Sequence, residues 1–527
     1  MRCMSRPSPS HFETWLSTAV SRRSLVLGSF ALCGLPIAGR VISASALRLQ
    51  DDPFTLGVAS GDPSSDGMVL WTRLAPSPLD GGGMPDAAVE VTWELATDDR
   101  FRRIVRRGRS MAVPEWGHSV HVEVDGLASD RWYWYRFRVG GDVSPVGRTR
   151  TLPAAGADAR RLRFAFASCQ HFESGLYTAY SHMSREDLDL VFFLGDYIYE
   201  GPGRDNQVRK HTGPEVMSLT DYRNRLAQYK TDPRLQAAHA AFPWVVTWDD
   251  HEVDNNYAND IQESGMPREE FLARRTAAYQ AYYEHMPLRR RSVPKGPHMA
   301  LYRGLSWGSL ASAFVLDTRQ YRTDQPCNDG TKAPCDATFD PNATLMGKEQ
   351  ERWLHDGLAA SRARWNIIPQ QIMVGRVNQS VTEEDRYSMD QWPGYEAERR
   401  RLLEFLAART PNNPIVLTGD IHSSWVNELQ VNSEDEKSPS VAVEFVGTSI
   451  ASGGDGTAVP ERLKTVMANN PFLKFYNGQR GYVSCEVTPE RMTTTYQGVD
   501  YVTKPGAPLV TRARFVVEAG RSVVQRA

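Results

Sequence analysis

The chain has little of three things: cysteine, net charge and long apolar runs. Only six of its 527 residues are cysteine, and 61 basic residues nearly cancel 63 acidic ones, giving a net charge of −2. This balance argues against nucleic-acid binding driven by bulk charge. No interior run approaches the roughly 20 apolar residues of a membrane-spanning helix, so we expect no stable membrane span. The length predicts two or more domains, and 41% hydrophobic residues suit a sizeable core.

The first 46 residues have the pattern of a targeting segment. "SRRSLVLGSFALCGLPIAG" places paired arginines, Arg22 and Arg23, before a short apolar stretch, and Ala44-Ser45-Ala46 follows as a small-residue cleavage candidate. The apolar stretch is too short for a transmembrane helix, so residues 1–46 predict a twin-arginine signal peptide. We therefore expect the twin-arginine export machinery as a partner and a periplasmic or secreted location. That route carries proteins already folded, which favours a metal or cofactor inserted beforehand.

Four cysteines follow this segment, and their surroundings differ. Cys327 and Cys335 flank the short polar loop "CNDGTKAPC", and in an oxidising compartment we expect them to form a disulfide. Cys485 in the strand-like "GYVSCEV" is expected to be a buried core residue. Cys169 is then unpaired, which requires another explanation.

The remaining chain divides into two parts with different periodicity. Residues 47–155 contain alternating runs such as "VEVTWELATD" and "RWYWYRFRV" between turn residues, which predict a small β-sandwich domain of the fibronectin or immunoglobulin kind. Residues 156–527 alternate apolar strands with helical stretches such as "REEFLARRTAAYQAYYEHM", which predict an α/β domain with its sheet covered on both sides. Segments 325–345 and 455–480 have the composition of mobile loops over a site or of ordinary surface insertions.

Side chains suited to metal binding follow four of the apolar strands. Each one alone is more simply a core or surface residue, as a lone Cys or His usually is. Together they supply a thiolate, a phenolate, imidazoles and carboxylates at strand ends, which collect at one rim of an α/β sheet. They are Cys169, Asp196 and Tyr199 in "GDYIY", Asp249, Asp250, His251 and Asn255 in "WDDHEVDNN", and Asp420 and His422 in "GDIH". The sequence therefore predicts a metal site.

The order of these motifs resembles the metallophosphoesterase superfamily, in particular its PhoD-type alkaline phosphatase/phosphodiesterase branch. "FTLGVASGDPSSDGMVLWTRLAP", "LDTRQYR" and "GTSIASGG" extend the resemblance over nearly all of the chain after the targeting segment. The resemblance implies a four-layer α/β/β/α sandwich preceded by the β-sandwich domain. It also implies an exported alkaline phosphatase that hydrolyses phosphate mono- and diesters with a metal-activated hydroxide.

Residue by residue, the resemblance implies a dinuclear iron-calcium centre. Fe³⁺ would be held by Cys169, Asp196, Tyr199 and His422, and Ca²⁺ by Asp196, Asp250, Asn255 and Asp420. His251 would contact the phosphate or protonate the leaving oxygen, Arg376 in "GRVNQS" would neutralise substrate charge, and Asp249 would stand behind the ligands. The second metal has oxygen ligands only, since Asp420 replaces the superfamily's first histidine of G-H-x-H and no histidine lies between His355 and His422. Such a ligand set favours Ca²⁺ over Zn²⁺.

Three alternatives stay open on the sequence. The same site could serve a phospholipase D-like or wall-polymer phosphodiesterase. An exported calcium-binding or carbohydrate-binding scaffold is disfavoured, because a scaffold needs neither His251 nor Cys169. A redox iron protein is disfavoured because tyrosine and aspartate ligands hold iron in the ferric state.

Overall fold

The structure is a computed structural model that describes residues 41–42, 51–435 and 437–527. Of the predicted signal peptide only Val41–Ile42 is described, as a short strand that pairs in parallel with Ala88 and Val89; the rest lies outside the described residues. Among the helices of the described part, none is both long enough and apolar enough to cross a membrane.

The largest sheet has ten strands and crosses the predicted domain boundary. Three central strands run parallel, because each is connected to the next through helical segments. Three strands at one edge come from residues 58–124, so the two predicted domains share one sheet. From edge to edge the strands are Gln525–Arg526, Leu509–Glu518, Arg491–Val499, Gly481–Val487, Leu162–Ala167, Leu190–Leu194, Pro243–Thr247, Val58–Gly61, Met68–Arg73 and Ser119–Val124.

A second sheet of seven strands packs against the first. Phe192 and Leu194 of the ten-stranded sheet share a buried apolar cluster with Ile415, Leu417 and Phe445 of the seven-stranded sheet. The strands Leu190–Leu194 and Pro414–Thr418 are buried along their whole length, which explains their mainly apolar composition. The strands of the second sheet are, in order, Arg303–Trp307, Ala311–Val315, Trp365–Pro369, Pro414–Thr418, Ser440–Val446, Ser424–Gln430 and Leu473–Asn477.

Helices cover the outer faces of both sheets. Leu226 and Tyr279 pack in one cluster with Trp244 of the ten-stranded sheet, and Leu354 and Leu402 pack in another that includes the seven-stranded sheet. The two sheets between two helical layers confirm the predicted α/β/β/α sandwich. The helices are Thr178–Met183, Leu219–Lys230, Pro233–Ala241, Arg268–His285, Gly347–Ala360, Glu396–Arg409 and Glu461–Asn469.

A six-stranded outer sheet completes the predicted N-terminal β-sandwich. Along Trp132–Val139 the buried residues alternate strictly with partly exposed ones, as in a sheet with one covered face. Tyr135 and Phe137 pack there against Leu70 and Val122 of the ten-stranded sheet. The strands are Val41–Ile42, Ala88–Ala96, Ile104–Ala112, Trp132–Val139, Asp142–Val143 and Gly147–Arg150.

Several local predictions can be compared with the structure. The helix predicted from Arg268 is present and ends at His285. Cys327 and Cys335 form the expected disulfide, and Cys485 is buried and unpaired. For segment 455–480 the sequence leaves open a mobile loop or a surface insertion; the segment contains the helix Glu461–Asn469 and the strand Leu473–Asn477, which favours the insertion. Apolar Val466 and Phe472 anchor it in a small buried cluster.

Candidate metal centre

The predicted ligands meet where the carboxyl ends of strands from both large sheets come together. Cys169 N donates to Gly195 O at 3.0 Å, and Ser168 forms a parallel bridge with Ser449. The loops approach so closely that a Cβ on Gly195, whose φ is +113°, would lie 2.5 Å from the Cβ of Asp249. Only glycine fits this position, which explains the Gly-Asp pair that ends the strand Leu190–Leu194.

Four of the predicted ligands have a left-handed backbone. The φ angles are 58° at Cys169, 58° at Asp196, 66° at Asp420 and 52° at His422. This region is uncommon for residues other than glycine and costs on the order of 1–3 kcal/mol per residue. Such strain persists only where surrounding contacts impose it, and it is concentrated at functional sites.

The four predicted iron ligands converge. One ligand atom each from Cys169, Asp196 and His422 lie within 4.8 Å of one another. Tyr199 Oη donates to Asp196 Oδ2 at 2.8 Å and lies 3.0 Å from His422 Nε2. Ser452 Oγ donates to the same phenol oxygen at 2.8 Å and helps to fix its position. Thiol, carboxylate, phenol and imidazole therefore face one point.

Two further groups overlap with the first. Asp196, Asp250 and His251 form one, and Asp249, Asp250 and Asp420 form the other, each with ligand atoms within 4.8 Å of one another. Asp196 belongs to two of the three groups, and so does Asp250. Shared carboxylates of this kind suit two adjacent cations.

The chemistry of the donors fits metal ions. Asp196 Oδ1, Asp249 Oδ2 and Asp250 Oδ1 are buried and have no hydrogen-bond partner in the described part of the chain. Burial and the neighbouring carboxylates raise the pKa of Asp196 and Asp420 well above the usual range. Burying unpaired charge is costly, and bound cations would compensate it.

The histidine among the predicted iron ligands is also suited to its role. Burial, with the nearby Arg480 and His251, lowers the pKa of His422 to about 3. Its imidazole is therefore neutral across the working pH range, and the neutral form is the one that binds metals.

Arg319 is a fixed cation beside the carboxylates. Its fully buried guanidinium donates through Nε to Asp249 Oδ1 at 2.5 Å and bonds Asp390 Oδ1 and Oδ2 at 2.8 and 2.7 Å. The nearest Asp250 oxygen lies 3.9 Å from Nη2. One carboxylate oxygen of Asp249 thus pairs with Arg319, although Asp249 also belongs to the group with Asp250 and Asp420. This is compatible with the prediction that Asp249 supports the metal ligands from behind.

His251 is oriented by a carboxylate that the sequence reasoning missed. Its Nδ1 lies 2.7 Å from Glu200 Oε2, and its ring lies 4.1 Å from that of Tyr199. Burial alone would lower the pKa of His251, but Glu200, Asp250 and Asp196 raise it well above its usual value. Glu200 directly follows "GDYIY" in the sequence, and that adjacency was the available signal.

Glu252 is a second missed residue, and it ties the loops together. Its carboxylate accepts from the backbone N–H groups of Asp196, Tyr197 and Asp249 at 3.1, 2.5 and 2.8 Å. Burial raises its pKa to about 8. Glu252 is part of the motif "WDDHE", so its proximity to the ligands could be predicted from the sequence, but its hydrogen bonds to the backbone of two loops could not.

Two predicted residues are directed elsewhere. The Asn255 side chain donates to Glu263 Oε2 at 2.6 Å, whereas its neighbour Asn256 donates its backbone N–H to Asp250 Oδ2 at 2.8 Å. Arg376 is buried, its Nη1 bonds Glu434 Oε1 at 2.8 Å, and it is not among the residues that line the cavity above the centre. The structure therefore brings together every other predicted site residue but not these two.

A cavity of about 460 Å³ opens directly above the converging side chains. Tyr199, His251 and His422 line its floor and walls, together with His171 and Arg204. The predicted ligands Tyr199 and His422 and the predicted acid His251 thus face a space large enough for a phosphate ester.

Comparison with known proteins identifies the family. The family model described as PhoD-like phosphatase matches residues 164–496, and that of the PhoD-like phosphatase N-terminal domain matches residues 41–153. Alkaline phosphatase D from Bacillus subtilis (strain 168) is 52% identical, over 98% of this chain and 90% of that protein. A solved structure of PhoD superimposes with a TM-score of 0.90 at 54% identity, over 92% of this chain and 93% of that chain. The chain is a hydrolase and belongs to the PhoD-like phosphatase family.

Proposed function

We propose that this phosphatase is an exported enzyme that hydrolyses phosphate mono- and diesters at a dinuclear iron-calcium centre. Fe³⁺ is assigned to Cys169, Asp196, Tyr199 and His422, and Ca²⁺ to Asp196, Asp250 and Asp420. Asn255, hydrogen-bonded to Glu263 in this structure, stays a predicted calcium ligand. The observation that carries the proposal is the convergence of these side chains around buried oxygens without partners.

The identity of each ion is supported by the chemistry of its ligands. Thiolate and phenolate together neutralise much of the charge of a trivalent ion, whereas carboxylate oxygens suit the hard Ca²⁺ ion. When bound, such a pair of ions supplies a hydroxide nucleophile at moderate pH and stabilises negative charge on the phosphate.

The chain's own residues carry the remaining steps. His251 faces the cavity and, with its pKa raised, holds a proton that it can give to the leaving alcohol oxygen. Glu200 fixes the imidazole through Nδ1, which leaves Nε2 for that transfer. Arg319 holds Asp249 and Asp390 in place, so the carboxylates beside it keep their orientation.

The first test combines metal analysis with two chromogenic substrates. The purified protein should contain iron and calcium, and should hydrolyse both p-nitrophenyl phosphate and bis-p-nitrophenyl phosphate. A calcium-selective chelator should abolish both activities, and added calcium should restore them. Protein that contains iron but hydrolyses neither ester would instead favour the scaffold.

Two variants separate ligand from acid. His422→Ala should lose iron and activity together. His251→Ala should keep both metals and lose activity by about 10²–10⁴-fold on alkyl phosphate esters. The loss should be smaller on the p-nitrophenyl esters, because their leaving group needs little protonation. Loss of metal in His251→Ala would make His251 a ligand rather than the acid.

Export by the twin-arginine pathway to the periplasm or the cell exterior is part of the proposal. The Cys327–Cys335 disulfide is compatible with an oxidising compartment. Replacement of Arg22 and Arg23 by lysine should retain active protein in the cytoplasm, as cell fractionation and activity assays would report. Unchanged export of the double-lysine variant would contradict this route.

A further inference from the structure

One arginine in the active-site cavity has no part in the metal centre. Arg204 lines the same cavity as Tyr199, His251 and His422. Its side chain is 57% exposed, in contrast to the buried Arg319 and Arg376. The sequence predicted Arg376 as a substrate-binding cation, whereas among the described residues the arginine that lines the cavity is Arg204.

The guanidinium of Arg204 is held in a defined orientation. Its Nε donates to Glu173 Oε2 at 3.0 Å, and its Nη2 lies 3.2 Å from His171 Nε2. The Glu173 side chain is fully buried and also accepts from the backbone N–H groups of Arg204 and His211, at 2.8 and 3.0 Å. No hydrogen bond within the described residues uses Nη1 of Arg204, so this nitrogen is available to a ligand.

The charged side chains that line a neighbouring cavity are mostly acidic. This second cavity, of about 610 Å³, shares Glu200 and Gly201 with the first and is lined by Glu215, Glu263 and Glu270. Arg274 also lines it, but its guanidinium is already paired with Glu215 and Asp254. An anionic group is therefore repelled from the second cavity, whereas in the first it can pair with the free Nη1 of Arg204.

We propose that Arg204 forms a subsite for a second phosphate carried by the alcohol part of the substrate. The inference rests on the proposed esterase function and narrows its substrate class. The preferred substrates are phosphate esters in which another phosphate lies beyond the ester that is cleaved. This second phosphate is either a terminal group, as in a bisphosphate, or an internal diester of a chain. An arginine with a free edge suits either one, because guanidinium nitrogens pair directly with phosphate oxygens.

The test compares matched substrates on the metal-loaded protein. n-Butyl phosphate has one phosphate, and 1,4-butanediol bisphosphate adds a second at the far end of the same carbon chain. Wild type should prefer the bisphosphate in kcat/KM, after correction for its two equivalent ends. Arg204→Gln should reduce kcat/KM for the bisphosphate by about 10- to 100-fold, mainly through KM, and leave butyl phosphate nearly unchanged. Arg204→Lys should keep part of the preference.

A control variant separates the subsite from general loss of surface charge. Arg268 has a similarly exposed side chain, at 68%, and pairs with Asp260 at 2.5 Å, but does not line this cavity. Arg268→Gln should leave both substrates unaffected. Rising salt should also diminish the preference of the wild type, because the attraction is between charges near solvent.

The outcomes that overturn the inference are distinct from failure of the proposed function. Equal loss on both substrates in Arg204→Gln would place Arg204 on the scissile phosphate, and no loss on either would make it a wall residue. A wild type that hydrolyses neither ester would refute the proposed function itself. An oligomer of butanediol phosphate diesters distinguishes a terminal second phosphate from an internal one. A preference for this oligomer shows recognition of internal phosphates. A preference for the bisphosphate alone shows recognition of terminal phosphates.

Discussion

The buried lysine at the end of the helix Leu219–Lys230 should make the protein less stable at neutral pH than at alkaline pH. Lys230 is 1% exposed, and its ammonium lies 4.3 Å from the ring centre of Trp71 and 5.4 Å from that of Tyr197. Burial lowers its pKa from 10.5 to about 7. Lys230→Met keeps the length of the side chain and removes the charge.

The sign and size of the effect follow from this pKa. Between about pH 7 and 10.5 the unfolded chain binds a proton at Lys230 that the folded protein lacks, so the free energy of unfolding rises with pH. Below about pH 7 both states are protonated and the penalty is constant. The difference in pKa corresponds to about 5 kcal/mol when Lys230 is fully protonated in both states. At pH 7, where about half of Lys230 is protonated in the folded protein, Lys230→Met should therefore stabilise the protein by about 4 kcal/mol.

Thermal unfolding of the metal-loaded protein measures this. For a chain of this size about 4 kcal/mol corresponds to a rise in Tm of about 4 °C at pH 7, which should vanish near pH 10.5. Lys348→Met is the control, because Lys348 is exposed on the helix Gly347–Ala360, and it should shift Tm at neither pH. A lower Tm of Lys230→Met at pH 7, or a gain that does not depend on pH, would refute the reasoning.

Two other stability predictions concern local constraints. Replacing both Cys327 and Cys335 by serine should cost about 2–3 kcal/mol through the lost loop closure, read as a lower Tm that reductant no longer changes; a variant as stable as wild type would contradict it. Ser218 caps the helix Leu219–Lys230 in a reciprocal pair with Asp221, so Ser218→Ala should cost about 1 kcal/mol in denaturant unfolding, whereas Ser218→Asp should restore most of it.

Much of the site could be predicted because its residues follow the strands that position them. Parallel strands end at the same edge of a sheet, so Cys169, Asp196 and Asp420 were expected to meet. They do meet, although Asp420 follows a strand of the second sheet, whose carboxyl end adjoins that of the first. The central strands of the sheet could also be predicted from the sequence, because strands buried on both faces contain few polar residues. Connectivity and burial are properties that a sequence records directly.

What the sequence did not reveal depends on contacts between distant segments. The adjacent Asn255 and Asn256 have the same side chain, yet the fold directs the Asn255 side chain to Glu263, whereas Asn256, with φ of 48°, donates its backbone N–H to Asp250. Arginine side chains are long, so their partners are chosen by tertiary packing. Arg376 is hydrogen-bonded to Glu434 away from the cavity, whereas Arg204 lines the cavity.

The continuity of the ten-stranded sheet across the predicted domain boundary was hidden for the same kind of reason. Val58–Gly61 pairs with Pro243–Thr247, a strand almost 200 residues away, and no local sequence pattern predicts which strand it pairs with. The consequence is that the N-terminal segment contributes three strands to the same sheet as the rest of the chain. Its strand Met68–Arg73 contributes Trp71, whose indole donates to Glu284 O at 2.9 Å under the helix Arg268–His285.

The metal centre itself should reverse the pH dependence of stability when the ions are removed. Burial and mutual repulsion raise the pKa of Asp196 and Asp420 well above the usual range. A carboxyl group whose pKa is raised on folding destabilises the fold at high pH, and the penalty disappears as protons bind. Chelated protein should therefore unfold at a higher temperature at pH 5 than at pH 8.

Asp196→Asn provides the decisive comparison, because it removes one buried charge and keeps the shape of the side chain. In chelated protein at pH 8 this variant should be more stable than wild type by about 1–3 kcal/mol, and the advantage should shrink at pH 5, where the wild-type carboxyl is protonated. With metals present the order should invert, since the variant loses a ligand shared by two groups. Chelated wild type that is most stable at pH 8 would mean that Arg319 and His251 already balance the carboxylates, and that the ions are not required to hold the loops together.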